Sequence, residues 1–497
     1  MGSEADGQRA AASGVGAAAT ALGDFQMYVD GEWVDARDKG LLEIVDPASE
    51  DVVARVANGG IEDAEAAVLA ARRAFDEGPW PRTPARERAA VLHAAAALVR
   101  ERVDEMARWE SLEMGKLFAD GQGDISRVAD LLDYAGELAE RLLAEQPITE
   151  PTALVREPVG VVVGVCPWNF PLVLASFKFA SALAAGNVVI IKPASISPLT
   201  ALGMARIFDE VGLPKGVFQV VIGPGRSVGD YLVGSPLVDM VTLTGSVEVG
   251  RHIMTQAAKT VKKVGLELGG KAPNTVFADA DFDAALDGVV FSAFGNCGQA
   301  CCAGSRLLVE RSIHDSFVAA VVARVEALRI GPGLDPASQL SPLSSREQLG
   351  VVERYVAIGR DEGATLACGG RRLEGKGFFY APTVFTGVDN AMRIAQEEIF
   401  GPVLVVIPFD TEQEAIRIAN DTVFGLTAGV WTTDIAKAKR YVRAVRAGTV
   451  FVNNTWACAP LGLPWGGYKQ SGIGREIGDV GIEEFTELKA VIFAGAS

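Results

Sequence analysis

The stretch Phe294-Gly295-Asn296-Cys297-Gly298-Gln299-Ala300-Cys301-Cys302 holds half of the six cysteines in the chain, set among small and polar residues. Such neighbours fill a core poorly but let backbone and ligand approach closely, which suits a loop that presents a thiol as a nucleophile. The competing reading is inert packing, since a free cysteine behaves as a small hydrophobe.

Four other stretches carry polar groups that their local context does not explain. Cys166-Pro167-Trp168-Asn169-Phe170-Pro171 follows an apolar run, and its two prolines stiffen a turn holding the Asn169 amide. That amide can meet a ligand or make a local backbone bond. Ile190-Ile191-Lys192-Pro193-Ala194-Ser195 runs an apolar segment into a cation, which can hold a phosphate or ribose hydroxyl, or simply be a solvated strand end. Leu243-Thr244-Gly245-Ser246-Val247-Glu248-Val249-Gly250 is a glycine turn whose N–H groups at a helix start suit a pyrophosphate. It is not a GxGxxG fingerprint, and Gly223-Pro224-Gly225 with Gly229 read as turns. In Leu266-Glu267-Leu268-Gly269-Gly270-Lys271 a carboxylate sits between leucines, where burial raises its pKa toward that of a general base; a structural ion pair is the alternative.

The scaffold for these stretches is long. At 497 residues the chain exceeds what one core organises and should divide into two or three units. Its net charge of −17 repels nucleic acid and anionic lipid. The cysteines (166, 297, 301, 302, 368, 458) are too few and clustered for a disulfide framework, so an intracellular, reducing setting is expected. No metal is expected, because His93, His252 and His314 lie far apart and no CxxC pair exists. The same scarcity leaves a cysteine hydrolase, one rival class, without a plausible base. Residues 1–24 read as a disordered tail, with Glu4 and Asp6 where a secretion signal needs positive charge. No uncharged apolar run of about 18 residues exists, so a cytoplasmic protein without a membrane span is expected.

Turn signals at Asp30-Gly31 and Asp46-Pro47 mark a β-rich lead-in from Phe25 to Val53. Helical spacing predicts helices over Ile61–Phe75, Pro84–Leu112 and Val128–Leu143. After a charged joint, Glu145–Pro158, buried-strand runs at Val159–Val165, Val188–Ile191, Val217–Ile222 and Met240–Leu243 alternate with helix-length segments at Val173–Ala184, Thr200–Val211 and Val247–Ala258. Strands without polar alternation, joined by crossovers of that length, imply a doubly wound parallel sheet. Ligands then bind beyond the carboxyl ends of the strands. A second α/β pattern follows from Leu266, with strands at Ala303–Val309, Val403–Pro408, Leu426–Trp431 and Thr449–Asn453 and helices at His314–Leu328 and Ser345–Glu362. The segment Ile482–Phe493 ends strand-like and needs an edge to pair with, a partner subunit being one candidate.

Together these motifs resemble the NAD(P)-dependent aldehyde dehydrogenase superfamily, from about Phe25 to Phe493. The match is carried by Pro167-Trp168-Asn169-Phe170-Pro171, Lys192-Pro193, Thr244-Gly245-Ser246 with Gly250, Leu266-Glu267-Leu268-Gly269-Gly270, Gly298-Gln299-Ala300-Cys301, Glu398-Ile399-Phe400-Gly401-Pro402 and Ser471-Gly472-Ile473-Gly474-Arg475-Glu476. The resemblance implies an α/β fold with two doubly wound parallel-sheet domains and a small β oligomerisation segment. The implied division is a cofactor-binding domain of residues 25–144 and 159–266, a catalytic domain of 267–470, and oligomerisation segments at 145–158 and 482–497 of a homodimer or homotetramer.

It further implies Cys301 as nucleophile, Asn169 as oxyanion donor, Glu267 as base and Glu476 as a more distant proton acceptor. NAD or NADP would be held by Trp168, Lys192, Ser195, Gly245, Ser246, Glu398 and Phe400. Glu267 favours hydrolysis, since the branch releasing acyl groups to coenzyme A lacks this carboxylate. Members preferring NAD usually carry a Glu where this chain has Ser195, so NADP stays open. Phe170, Phe177, Gly295, Cys297, Cys302, Trp456 and Trp465 are the expected pocket. Trp456-Ala457-Cys458 with Pro464-Trp465 is similar to the betaine and ω-aminoaldehyde branch, and aromatic walls suit a quaternary ammonium or a plain hydrophobic aldehyde. Gly295 stands where that branch often has a bulky aromatic, which predicts a wider pocket and argues against betaine aldehyde. The nucleophile loop has no Arg beside it, which argues against succinate semialdehyde, the alternative substrate.

Overall fold

The computed structural model describes residues 22–143, 152–458 and 460–493. Most of the expected tail, residues 1–21, lies outside the described residues, as do 145–151 and 494–497 of the expected oligomerisation segments and the Cys458 side chain.

An eight-stranded sheet runs in the order Gly472–Ile473, Lys263–Glu267, Met240–Thr244, Val161–Val165, Val188–Lys192, Phe218–Val220, Met27–Val29, Glu32–Val34. The middle five are parallel, and the strands at either edge are antiparallel. Val188–Lys192 and Met240–Thr244 are buried at every position, as strands covered on both faces must be. Helices Pro171–Ala184, Leu199–Glu210 and Val247–Ala257 provide crossovers. From Val161–Val165 the chain adds strands first on one side and then on the other. Strand order therefore reverses between Val161–Val165 and Met240–Thr244, where such sheets hold ligands. The Asn169 turn, the Gly245 turn and Glu267 all leave this sheet at carboxyl ends.

A seven-stranded sheet runs Thr365–Cys368, Thr383–Thr386, Val403–Phe409, Arg306–Glu310, Pro273–Val276, Thr427–Trp431, Thr449–Val452, parallel except for its first strand. Each large sheet has its own apolar core. A small cluster of Ala300, Cys302 and Ala303 against Phe170, Trp456 and Trp465 lies where the nucleophile loop meets the first core. The strands Thr152–Pro158 and Thr486–Ile492 pair antiparallel along their whole length as a separate ribbon.

Several elements differ from the sequence expectation. The helix expected over Pro84–Leu112 is two helices, Ala85–Glu101 and Val103–Met114, broken at Arg102 (φ −114°, ψ 16°). The helix expected from Val128 starts at Phe118. Gly121 and Gly123 dilute the apolar stripe there, and Gly121 allows a close crossing, since a Cβ would stand 3.2 Å from the Ala107 Cβ. Strands Lys263–Glu267 and Pro273–Val276 carry Gly, Glu, Pro and Asn, so no uninterrupted apolar run marks them in the sequence. Arg306 opens a strand although fully buried, because its guanidinium donates to the carbonyls of Lys271, Ile418 and Ala419 and to Asn390 Oδ1. Among the described residues no helix is long and apolar enough to cross a membrane.

Candidate active site

The nucleophile loop is a strained turn. After helix Phe282–Phe294, three consecutive residues take left-handed backbone: Asn296 (φ 51°), Cys297 (φ 58°) and Gly298 (φ 70°). Gly298 admits no side chain, because a Cβ would lie 2.2 Å from the Gly401 carbonyl. Asn tolerates this conformation, and Asn296 Nδ2 donates to the carbonyls of Asn169 (3.1 Å) and Gln299 (3.2 Å). Buried Gln299 accepts from Ser344 N at 2.9 Å and donates to the Asn296 carbonyl at 3.2 Å. These bonds over-determine a turn whose strained residues each cost of order 1–3 kcal/mol.

The turn directs the cysteines differently. Cys301 and Cys302 reach the wall of a cavity of about 580 Å³, with both thiols free. Cys297 points the other way, into the core of the seven-stranded sheet. It does not line the pocket, contrary to expectation, because its left-handed backbone turns the side chain inward. Asn169 Nδ2 donates to the Gln299 carbonyl at 2.9 Å, binding its turn to the nucleophile loop and leaving a second amide hydrogen. The Cys301 thiol is pushed well up by the neighbouring Cys302 thiol, burial and the Glu398 charge, while its own backbone N–H acts in the opposite sense.

Paired glycines bring the carboxylates close. A Cβ on Gly270 would fall 2.2 Å from the Cys301 carbonyl, and one on Gly269 would fall 2.5 Å from Glu398 Oε2. Gly270 N donates to Glu398 Oε1 at 3.0 Å. Burial raises Glu398 to about 7, against the pull of that N–H and of the Lys271 charge. Glu267, at the end of its strand, is buried, and its Oε2 has no hydrogen-bond partner among the described residues. Burial and the Glu476 charge push it well above the usual carboxylate range. Glu476 is itself buried and accepts from Lys178 Nζ (2.7 Å) and Thr242 Oγ1 (2.8 Å). Lys178 was missed by the sequence reading. Its signal was there, as the one charged residue in the otherwise uncharged helix Pro171–Ala184.

Phe170, Phe177, Phe291, Trp456 and Trp465 give the cavity aromatic walls, and Lys116, Asp120, Asp124 and Arg127 also line it. Phe170 meets Trp456 edge-on at 6.0 Å, and Phe291 meets Trp456 at 4.9 Å. Phe291 was not expected. Gly295 does not widen the pocket, because a Cβ there would come 2.9 Å from Trp456 Cζ2. The indole of Trp456 already occupies the room that the missing side chain leaves.

The expected cofactor residues lie apart from this cavity. Lys192 is buried at a strand end and, among the described residues, makes one long bond, 3.4 Å to the Pro193 carbonyl. Burial lowers its pKa to about 8. A buried ammonium so sparsely satisfied fits a ligand oxygen. Ser195 Oγ donates to the Gly223 carbonyl at 3.3 Å. Gly245 opens the turn before helix Val247–Ala257, and Ser246 Oγ caps that helix by accepting from Val249 N at 3.3 Å. Trp168 and Phe400 pack edge to face at 5.3 Å. A sparsely bonded buried cation, an anion-tolerant helix start and a buried carboxylate together suit a dinucleotide.

The signature of the aldehyde dehydrogenase family matches residues 33–491. The chain belongs to that family. A betaine aldehyde dehydrogenase of Bacillus subtilis is 44% identical over 473 residues, covering 94% of this chain and 96% of the relative. Among solved structures, the betaine aldehyde dehydrogenase of Staphylococcus aureus in complex with NAD+ superposes with a TM-score of 0.91 at 42% identity, covering 94% of both chains. An NAD-dependent aldehyde dehydrogenase of Sinorhizobium meliloti gives a TM-score of 0.92 at 42% identity, also with 94% of each chain covered. This aldehyde dehydrogenase is therefore an NAD(P)-dependent oxidoreductase that acts on aldehydes. The cysteine hydrolase reading falls. His93, His252 and His314 pair with Asp133, Asp230 and Asp315, and none lines the cavity.

Proposed function

We propose that Cys301 is the nucleophile in oxidation of an aldehyde bearing a quaternary ammonium group to its carboxylate. The observation carrying this reading is a thiol at the wall of a 580 Å³ cavity ringed by aromatic side chains. Cys301 gives up its proton to solvent, and the thiolate adds to the carbonyl carbon. The oxyanion is held by the second Asn169 amide hydrogen and the Cys301 backbone N–H. When bound, NAD(P)+ supplies the hydride acceptor that converts the thiohemiacetal into a thioester. Water then attacks the thioester, Glu267 accepts its proton, and Cys301 is released with the acid. Lys178 and Glu476 set the charge around Glu267 through the entire cycle.

Lys192, Ser195, Gly245 and Ser246 hold the adenosine and pyrophosphate end, and Glu398 with Trp168 and Phe400 holds the nicotinamide end. Ser195 in place of a carboxylate admits a 2′-phosphate, so both dinucleotides serve. The cofactor unit comprises 25–144 and 159–266 and the catalytic unit 267–470. The ribbon of Thr152–Pro158 and Thr486–Ile492 exposes Leu154, Leu488 and Ile492 and offers an edge to a second subunit of a homodimer or homotetramer.

The substrate class rests on the aromatic walls and on the names carried by the relatives. A carbonyl next to a trimethylammonium group would meet ring faces by cation–π contact. The test is reduced-cofactor absorbance with NAD and NADP against betaine aldehyde, its neutral isostere 3,3-dimethylbutanal, an ω-aminoaldehyde and succinate semialdehyde. A kcat/KM for betaine aldehyde below that of the neutral isostere would overturn the substrate assignment, and no signal with any aldehyde would overturn the mechanism.

A further inference from the structure

A buried ion cluster stands at the wall of the substrate cavity. Lys116 is fully buried, and its Nζ donates to Glu110 Oε2 at 2.5 Å and pairs with Asp124. The same ammonium lies 4.6 Å from the ring centroid of Phe170. Glu110, also fully buried, uses its other oxygen to accept from Leu172 N at 3.3 Å, in the first turn of helix Pro171–Ala184. Its neighbour Glu113 accepts from Leu199 N at 2.9 Å, at the first turn of Leu199–Glu210. One helix, Val103–Met114, thus caps two helices of the sheet that carries the ligand crevice.

Such a cluster is a poor source of stability, because desolvating three charges offsets most of their attraction and an apolar replacement is often as stable. What it does supply is fixed geometry. Asn169 and Phe170 form the corner immediately before helix Pro171–Ala184, so the cluster grips that corner twice, by the Phe170 ring and by the Leu172 N–H.

We infer that Lys116 is a positioning residue for the reaction: bridging Glu110 and Asp124, it clamps the Asn169–Phe170 corner so that oxyanion donor and pocket wall stay in register with Cys301. This rests on the proposed roles of Cys301 and Asn169. Lys116 and Asp124 both line the cavity, so a bound substrate would meet the clamp directly. Burial pulls the Lys116 pKa down, but the Asp124 and Glu110 carboxylates outweigh it, raise the pKa and hold the ammonium protonated.

The experiment uses the full-length enzyme and two reactions. Hydrolysis of 4-nitrophenyl acetate needs neither aldehyde nor cofactor: the thiolate attacks the ester carbonyl and releases 4-nitrophenolate, and water frees the acetyl group as acetate. Lys116→Met is expected to lower the rate per titrated Cys301 by roughly 10- to 100-fold in both reactions, as small misplacements do. It should also raise the aldehyde KM and leave the NAD dissociation constant within twofold, with Lys116→Arg recovering part of the loss. A merely structural role would reduce only the titrated fraction. Should Lys116→Met fail to fold, Asp124→Asn loosens the same clamp and is read the same way. Combined with Phe170→Leu, either variant should show losses smaller than additive, because both act through one ring. Unchanged rates per active site, or fully additive losses, would overturn the inference. Loss of aldehyde oxidation in the parent with ester hydrolysis intact would instead count against the proposed function.

Discussion

Lys178 Nζ donates to Glu476 Oε1 and to Thr244 Oγ1, each at 2.7 Å, and so fixes a carboxylate beside Glu267 inside the sheet. The Glu476 charge raises the Glu267 pKa and the Lys178 charge lowers it. Since the base works deprotonated, Glu476→Gln should lower that pKa and move the acid limb of the kcat profile, which includes thioester hydrolysis, to lower pH. Lys178→Met should move it to higher pH. Identical acid limbs in all three proteins would show that Glu267 is not the titrating base.

Glu267→Gln should give one burst of reduced cofactor per active site and then stall, because the thioester forms but its hydrolysis lacks a base. Mass spectrometry of the intact protein should show the acyl adduct on Cys301. Unchanged steady-state turnover would assign the base elsewhere.

Cys301→Ser should abolish oxidation, whereas Cys302→Ser should keep it. Asn169→Ala should lower kcat by about 10²- to 10³-fold, the usual effect of removing one oxyanion donor. Activity retained in Cys301→Ser and lost in Cys302→Ser would exchange the roles of the two cavity thiols.

Cofactor affinity should depend on pH from both sides. Glu398, raised to about 7, accepts ribose hydroxyls best as a carboxylate, so affinity should fall as pH drops below about 7 and Glu398→Gln should flatten that limb. Lys192, lowered to about 8, carries its charge below that value. As pH rises through 8 the kcat/KM for NADP should fall relative to NAD. A constant NADP-to-NAD ratio from pH 7 to 9 would remove Lys192 from 2′-phosphate recognition.

Gly295→Ala should push the Trp456 ring out of place, since the new Cβ would sit 2.9 Å from Cζ2. Overpacking of this kind destabilises by about 1–3 kcal/mol. The aldehyde KM should rise with little change in cofactor affinity. An unaltered KM in the folded variant would show that Trp456 does not shape the pocket.

The candidate site was legible in the sequence where polar groups sit in short motifs at strand ends and turns. The Cys301 loop, the Asn169 turn, Lys192 and Glu267 could be read because small, stiff or buried neighbours betray a polar group placed against local expectation. Buried parallel strands announced themselves for the same reason, since an uninterrupted apolar run has no solvated face. Strands with mixed composition, such as Lys263–Glu267 and Pro273–Val276, did not, and neither did the early start at Phe118 of the helix behind the pocket.

Tertiary structure alone decided which side chains meet. Cys297 lies four residues before Cys301 yet turns into the core, because left-handed backbone at Asn296, Cys297 and Gly298 turns the chain there. Trp456 fills the space beside Gly295 from 161 positions away, and Lys178 reaches Glu476 across a sequence separation of 298. No local pattern encodes such partners: periodicity reports which face of an element is buried, not what is buried against it. The motifs, through the family they resemble, thus pointed to the reaction class, while the packing of distant elements determined the shape of the pocket and the charge around the base.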